Sequence, residues 1–246
     1  MRSTLFAMAT VAVAGTACAQ PYDGLNVNER VFNDFPGSTL NVVNMYPSSL
    51  TISESDFGAG GFANRHMAYA SQDAGATASS FDYEDGFDFS VTMNLNASPT
   101  DGREAGIMTD LFGFGFFGAL PNGEIAAFGS FLPFHTFGTV YTNGTDVDLR
   151  MIYTPGGGEG VAPASTMEYI IDTGSGAVSS GPIEFTNTEL GIPSGFGAKV
   201  GVGIQSQGGF GGNVDVAFTN FSFVPAPGAG VLALGGLFAA SRRRRA

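Results

Sequence analysis

The sequence predicts an all-β protein, an antiparallel jelly-roll β-sandwich, and three observations point there. Several segments alternate apolar and polar residues, the period-2 pattern of a half-buried strand. No segment ahead of the last 23 residues carries the apolar period of an amphipathic helix, which disfavours alternating βαβ folds. The composition agrees: 37 Gly, 23 Phe and no Trp in 246 residues leave phenylalanine and β-branched side chains to fill the core, and these suit strands.

The first clear strand covers residues 87–95, where Phe87, Phe89, Val91, Met93 and Leu95 share one face and polar groups the other. The same pattern returns at residues 147–153, 167–171, 198–204 and 214–223. Turn signals separate these runs: Thr142-Asn143-Gly144-Thr145, Pro155-Gly156-Gly157-Gly158, Thr173-Gly174-Ser175-Gly176 and Gly208-Gly209-Phe210-Gly211-Gly212. No repeat at a fixed period of about 20 to 50 residues suggests a propeller or solenoid.

Both ends read as addresses. At the N-terminus, Arg2 precedes an apolar stretch from about Leu5 to Val13, and Ala17-Cys18-Ala19 offers a small-residue cleavage site with Ala17 and Ala19 at its key positions. A signal peptide over residues 1–19 is expected. Cleavage after Ala19 removes Cys18, the single cysteine, and with it any disulfide, thiolate metal site or cysteine nucleophile. At the C-terminus, residues 224–246 run from Val224-Pro225-Ala226-Pro227 through an apolar segment to Arg242, Arg243, Arg244 and Arg245. The cations hold their end on the cytoplasmic side. The segment from Gly228 to Ser241 makes roughly 21 Å of helix against roughly 30 Å of hydrocarbon, short for a permanent anchor and suited to a transient span of the inner membrane.

This three-part tail resembles the PEP-CTERM sorting signal: a Pro-x-Pro motif at Pro225 and Pro227, a hydrophobic helix and a terminal arginine cluster. Ala226 stands where that family has Glu. The prolines keep the extended backbone regardless. The resemblance implies an exosortase-type protease as partner and a destination in the cell envelope, on the outer surface or in the extracellular matrix.

Residues 20–223 remain, enough for one domain. It holds all 22 acidic residues but only Arg30, Arg65, Arg103, Arg150 and Lys199 among the basic ones, a formal charge of −17. Such a charge repels phosphates and excludes a nucleic-acid partner. The segment order resembles a concanavalin A-like jelly roll of the lectin, laminin-G and glucanase type: a long strand at 87–95, a pair at 146–153 and 167–172, and a last strand at 215–223. That resemblance implies glycan binding, with exopolysaccharide as candidate ligand. The rival it implies is a secreted polysaccharide hydrolase.

Motifs for chemistry are thin. Retaining glucanases need two carboxylates about 5 Å apart, which the resemblance would draw from a Glu-x-Asp-x-x-Glu strand; the nearest match, Glu54-Ser55-Asp56-Phe57-Gly58-Ala59, ends in Ala59. No catalytic residue is therefore assigned, and the expected role is non-enzymatic. The acidic run Asp82-Tyr83-Glu84-Asp85-Gly86-Phe87-Asp88 lacks the spacing of a calcium loop and reads as a solvated turn. Asp215 enters a structural calcium site only by the fold resemblance, and no other cofactor is expected. His66 and His135 read as hydrogen-bonded residues near the surface or a sheet rim. Gly113-Phe114-Gly115-Phe116-Phe117-Gly118 matches G-x-G-x-x-G, but alternation of Phe with Gly makes it a strand. Phe116, Phe117, Phe128, Phe131, Phe134 and Phe137 read as core first and as an aromatic docking patch second.

Overall fold

The computed structural model describes residues 22–58, 61–110, 113–129, 131–157, 163–185, 197–207 and 211–225. In chain order their strands are β1 (Gly24–Asn33), β2 (Thr39–Met45), β3 (Ser49–Ser55), β4 (Ala63–Ser71), β5 (Phe87–Ser98), β6 (Arg103–Asp110), β7 (Phe114–Ala119) and β8 (Glu124–Gly129). They continue with β9 (His135–Thr139), β10 (Asp146–Thr154), β11 (Thr166–Asp172), β12 (Val178–Ser179), β13 (Ile183–Glu184), β14 (Lys199–Gln207) and β15 (Asn213–Pro225). One sheet has seven strands in the order β1-β4-β14-β6-β7-β8-β9; the other has eight, in the order β12-β11-β10-β5-β15-β3-β2 with β13 also on β11. All neighbours are antiparallel. The chain crosses between the sheets repeatedly, and the result is the jelly-roll sandwich that the alternation predicts.

β5 shows why these residues become strands. Phe87, Phe89, Val91, Met93 and Leu95 are all buried, while Asp88, Ser90, Thr92 and Asn94 between them are half-buried on the outer face. A period of two puts one set inward and the other outward. Inward residues of the two sheets form one continuous core, including Ile52, Met93, Ile107, Leu149, Val202 and Val216. Rings cross the gap: Phe117 of β7 lies 4.9 Å from Tyr169 of β11, centroid to centroid.

All five sequence-predicted strands are present, each reaching one to three residues further at one or both ends, while β14 starts at Lys199, one residue after the expected Ala198. β15 continues through Val224 and Pro225, which pair with Asp88 and Phe87 of β5. Tyr22 packs its ring 4.0 Å from that of Phe223, so both ends of the described chain leave from the same end of the sandwich. Ala17, Ala19, Pro227, the apolar run and Arg242, Arg243, Arg244 and Arg245 lie outside the described residues. Among the described residues no helix is long and apolar enough to cross a membrane.

Candidate functional site

The outer face of the seven-stranded sheet is the candidate site. On β14, Val200, Val202 and Ile204 point into the core, so Lys199, Gly201, Gly203 and Gln205 point outward. The same alternation turns Arg65, Met67 and Tyr69 of β4 outward, with Glu104, Gly106, Met108 and Asp110 of β6 and Phe114, Phe116 and Gly118 of β7. Strand register arranges these into rows across the sheet. Arg65, Gln205 and Glu104 stand side by side in one row; Met67, Gly203, Gly106, Gly118 and Ala126 form the next; Tyr69, Gly201, Met108, Phe116 and Phe128 the one after.

The middle row makes a floor without side-chain bulk. A Cβ on Gly106 would sit 2.3 Å from the Phe117 carbonyl oxygen, and one on Gly118 would sit 2.2 Å from that of Ala105. Only glycine permits this approach of neighbouring backbones. Beside the floor, Met67, Tyr69, Met108 and Phe116 form a second buried cluster on a face that would otherwise be solvated, with Phe114 and Phe128 packed against it. We call this face the trough: its glycine row, Gly106, Gly118 and Gly203, is buried, and its aromatic and polar residues lie on either side.

The polar side is organised by hydrogen bonds. Arg65 Nε donates to Gln205 Oε1 at 3.0 Å, and its Nη2 donates to the same oxygen. Gln205 Nε2 donates to Glu104 Oε2 at 3.3 Å. The Arg65 guanidinium lies 3.6 Å over the Phe114 ring, and Lys199 Nζ is 5.7 Å from that of Tyr69. Burial pushes the Glu104 carboxyl above the usual carboxylate range, with Arg65 pulling the other way. Burial, reinforced by Asp110, lifts the Tyr69 phenol to about 12, so it stays a neutral donor near neutral pH. The trough thus offers guanidinium, amide, ammonium, phenol and carboxyl groups on an aromatic support, the set that recognises hydroxyl-rich ligands. Two of the domain's five cations are here.

The residues singled out by sequence fall elsewhere. Glu54, the acid of the nearest glucanase-like match, points between the sheets with its side chain 0% exposed. Its Oε2 lies 3.1 Å from His66 Nε2, and its Oε1 accepts from Ser38 Oγ at 2.7 Å and Asn64 Nδ2 at 2.6 Å. The surface or rim expected for His66 is thus corrected to the core, because β4 buries residues on both faces. His66 Nδ1 accepts the Arg30 backbone N–H at 2.9 Å, which leaves Nε2 as the protonated nitrogen of the neutral ring. Arg30 straps the cluster from outside, donating to Phe35 O, Ser38 O, Ser38 Oγ and Asn33 Oδ1. Arg103 is also fully buried and donates to the carbonyls of Gln207 and Gly211, its guanidinium 4.5 Å from the Phe57 ring. These groups tie one end of the sandwich together. Among the described residues nothing opens Glu54 to a substrate.

His135 sits on β9 at the sheet edge, its ring 4.6 Å from Phe137. The acidic run divides: Asp82 and Asp85 close a turn through their own backbone, while Asp88 pairs with Arg150 on the outer face of the other sheet. Asp215 accepts from Asn213 at 3.2 Å on that same face. Among the described residues no group of three acidic, histidine or cysteine side chains is placed to hold a metal ion. The glycine-phenylalanine motif forms β7, a strand between β6 and β8. The aromatic set splits: Phe116 faces out and Phe117 in, both fully buried, and Phe134 is 70% exposed. A cavity of about 310 Å3 opens at the Arg103 end, lined by Leu95, Ala97, Leu120, Tyr141 and Asn143. Its Tyr141 and Asn143 side chains are committed to backbone partners at Leu95, Thr145 and Ala97.

Sequence reading passed over Arg65, Gln205, Glu104, Tyr69 and Lys199. The signal was present in Lys199-x-Gly201-x-Gly203-x-Gln205, where polar ends flank outward glycines. No protein-family model and no curated protein matches the chain. Among solved structures it is similar to the alginate lyase AlgAT5 of polysaccharide lyase family 7, at 10% identity over 75% of this chain and 82% of that one, with a TM-score of 0.47. It is similar also to lectin I from Ulex europaeus, at 11% identity over 82% and 94% with a TM-score of 0.46. Lectin II from Ulex europaeus gives 12% identity over 80% and 92%, with a TM-score of 0.42.

Proposed function

We propose that the protein is an exported, non-enzymatic component of the cell envelope or extracellular matrix that binds a hydroxyl-rich glycan in the trough of its seven-stranded sheet. The N-terminal leader directs export, and the C-terminal tail passes transiently through the inner membrane to an exosortase-type protease. The observation that carries the binding role is the row Arg65, Gln205 and Glu104, hydrogen-bonded in line beside a buried glycine floor. A sugar approaching the half-buried Arg65 and Glu104 would meet aligned donors and acceptors along that row. The domain charge of −17 repels polyanions and favours a neutral or weakly charged polysaccharide, such as an exopolysaccharide.

Retention of the full chain on a neutral insoluble polysaccharide and on an acidic one tests this reading. Retention on the neutral polymer, lost on Gln205→Ala, is expected; retention on neither polymer overturns it. A second reading, polysaccharide hydrolysis, draws on Glu104, whose carboxyl is shifted upward by burial, the direction a general acid needs. Release of reducing ends that disappears in Glu104→Gln would favour it.

A further inference from the structure

The two sheets have unequal edges. Among the described residues they end in β1 and β9 on one sheet and in β2, β12 and β13 on the other. Natural edges are blunted by bulges, charges or shortness, and four of these are. β1 breaks register between Asn28 and Phe32, carries Glu29 and Arg30, and turns Arg30 to φ 55°. β9 has five residues and a register shift against β8, and β12 and β13 have two residues each.

β2 has none of these protections. Its seven residues, Thr-Leu-Asn-Val-Val-Asn-Met, contain no proline and no charge, and hold unbroken register with β3 from Thr39 opposite Ser55 to Met45 opposite Ser49. Leu40 and Val42 pack on the core, while Val43 and Met45 on the outer row are 39% and 58% exposed. The neutrality extends further, because residues 35–53 include no Asp, Glu, Lys or Arg in a domain of net charge −17.

We propose that β2 is a self-association edge, pairing antiparallel with β2 of a second copy across a two-fold axis and joining the two eight-stranded sheets into one. A two-fold axis sets each patch against itself. Elsewhere on the surface that would bring carboxylates together; along this hairpin it brings neutral groups together. A cationic partner would find no carboxylate on this edge to hold it. Backbone N–H and C=O groups on the outer side of β2, which pair with no strand among the described residues, supply the ladder, and Val43 and Met45 supply apolar area beside it. The axis runs across the joined sheet, so both copies turn their seven-stranded sheets to the same side.

Sedimentation velocity of the full chain in neutral detergent tests the pairing. The expected result is a concentration-dependent dimer, weakened at least tenfold by Val43→Lys and by Met45→Lys but not by Val140→Lys, an exposed apolar position at the far side of the sandwich. Association is also expected to tighten as salt rises from about 0.05 to 0.5 M, since screening relieves repulsion between two acidic domains. Melting curves matching the unmodified protein show that the variants fold. A monomer at every concentration, or a dimer that survives both β2 lysines, overturns the proposal.

Discussion

Glu54 illustrates how far a residue's sequence context is from its role. In the sequence it belongs to the acidic stretch Glu54-Ser55-Asp56; in the fold it is a buried carboxylate whose partners come from β4 and the loop before β2. Burial alone pushes its carboxyl up, yet hydrogen bonds from His66, Asn64 and Ser38 more than offset this and leave it below the ordinary value of 4.5. A group lowered in the folded state adds stability above its unfolded value and loses it as pH falls through the folded one. The protein is therefore expected to lose this contribution as the pH drops below about 4.5. Thermal melts of the unmodified protein and Glu54→Gln between neutral and acid pH check it: the gap between them should close in acid. Glu54→Ala, which leaves the buried donors around it unpaired, should cost about 1–3 kcal/mol at neutral pH. None of this was legible beforehand, because Ser38, Glu54, Asn64 and His66 are brought together by the sandwich and by no local pattern.

At the scale of the element, legibility followed how cleanly each strand separates its two faces. β5 and β10 expose one face to water, alternate strictly, and can be read from the sequence. β4, in contrast, buries nearly every residue of Ala-Asn-Arg-His-Met-Ala-Tyr-Ala-Ser, because its outward side lies under the trough cluster and its inward side carries Asn64 and His66. Its period is masked by polar residues that have partners inside. β6 and β7 are obscured in a similar way, by outward glycines where a polar residue would ordinarily mark the solvent face. The glycine floor follows from strand approach, and Gly106→Val tests it. Its side chain would meet the Phe117 carbonyl and the Gly118 backbone, so a loss of about 1–3 kcal/mol is expected, read as a lower denaturation midpoint. An unchanged midpoint would mean that the strands can separate freely there.

The whole molecule is a sandwich in which the described chain begins and ends at one end, where β15 carries Val224 and Pro225 into the sheet. Arg103 and its cavity lie at the opposite end, away from where the proposed sorting tail begins. Replacing Arg242, Arg243, Arg244 and Arg245 by Gln removes the stop signal, and the expected result is uncut protein with its tail drawn through the membrane, scored by immunoblot of membrane and released fractions. Sorting that proceeds unchanged would contradict the role given to the tail. The fold class and the acidic charge could be read from the chain because they are summed over many residues. The trough could not, since it exists only where β4, β14, β6 and β7 lie side by side.

The most direct test is a titration of the full chain with a neutral soluble polysaccharide, comparing Arg65→Ala on the trough with Arg150→Ala on the opposite outer face. Losing a charge-assisted pair of hydrogen bonds should weaken binding about 10- to 100-fold for Arg65→Ala, with Arg150→Ala binding as the unmodified protein does. Equal affinity in the two variants, or loss only with Arg150→Ala, would contradict glycan binding in the trough.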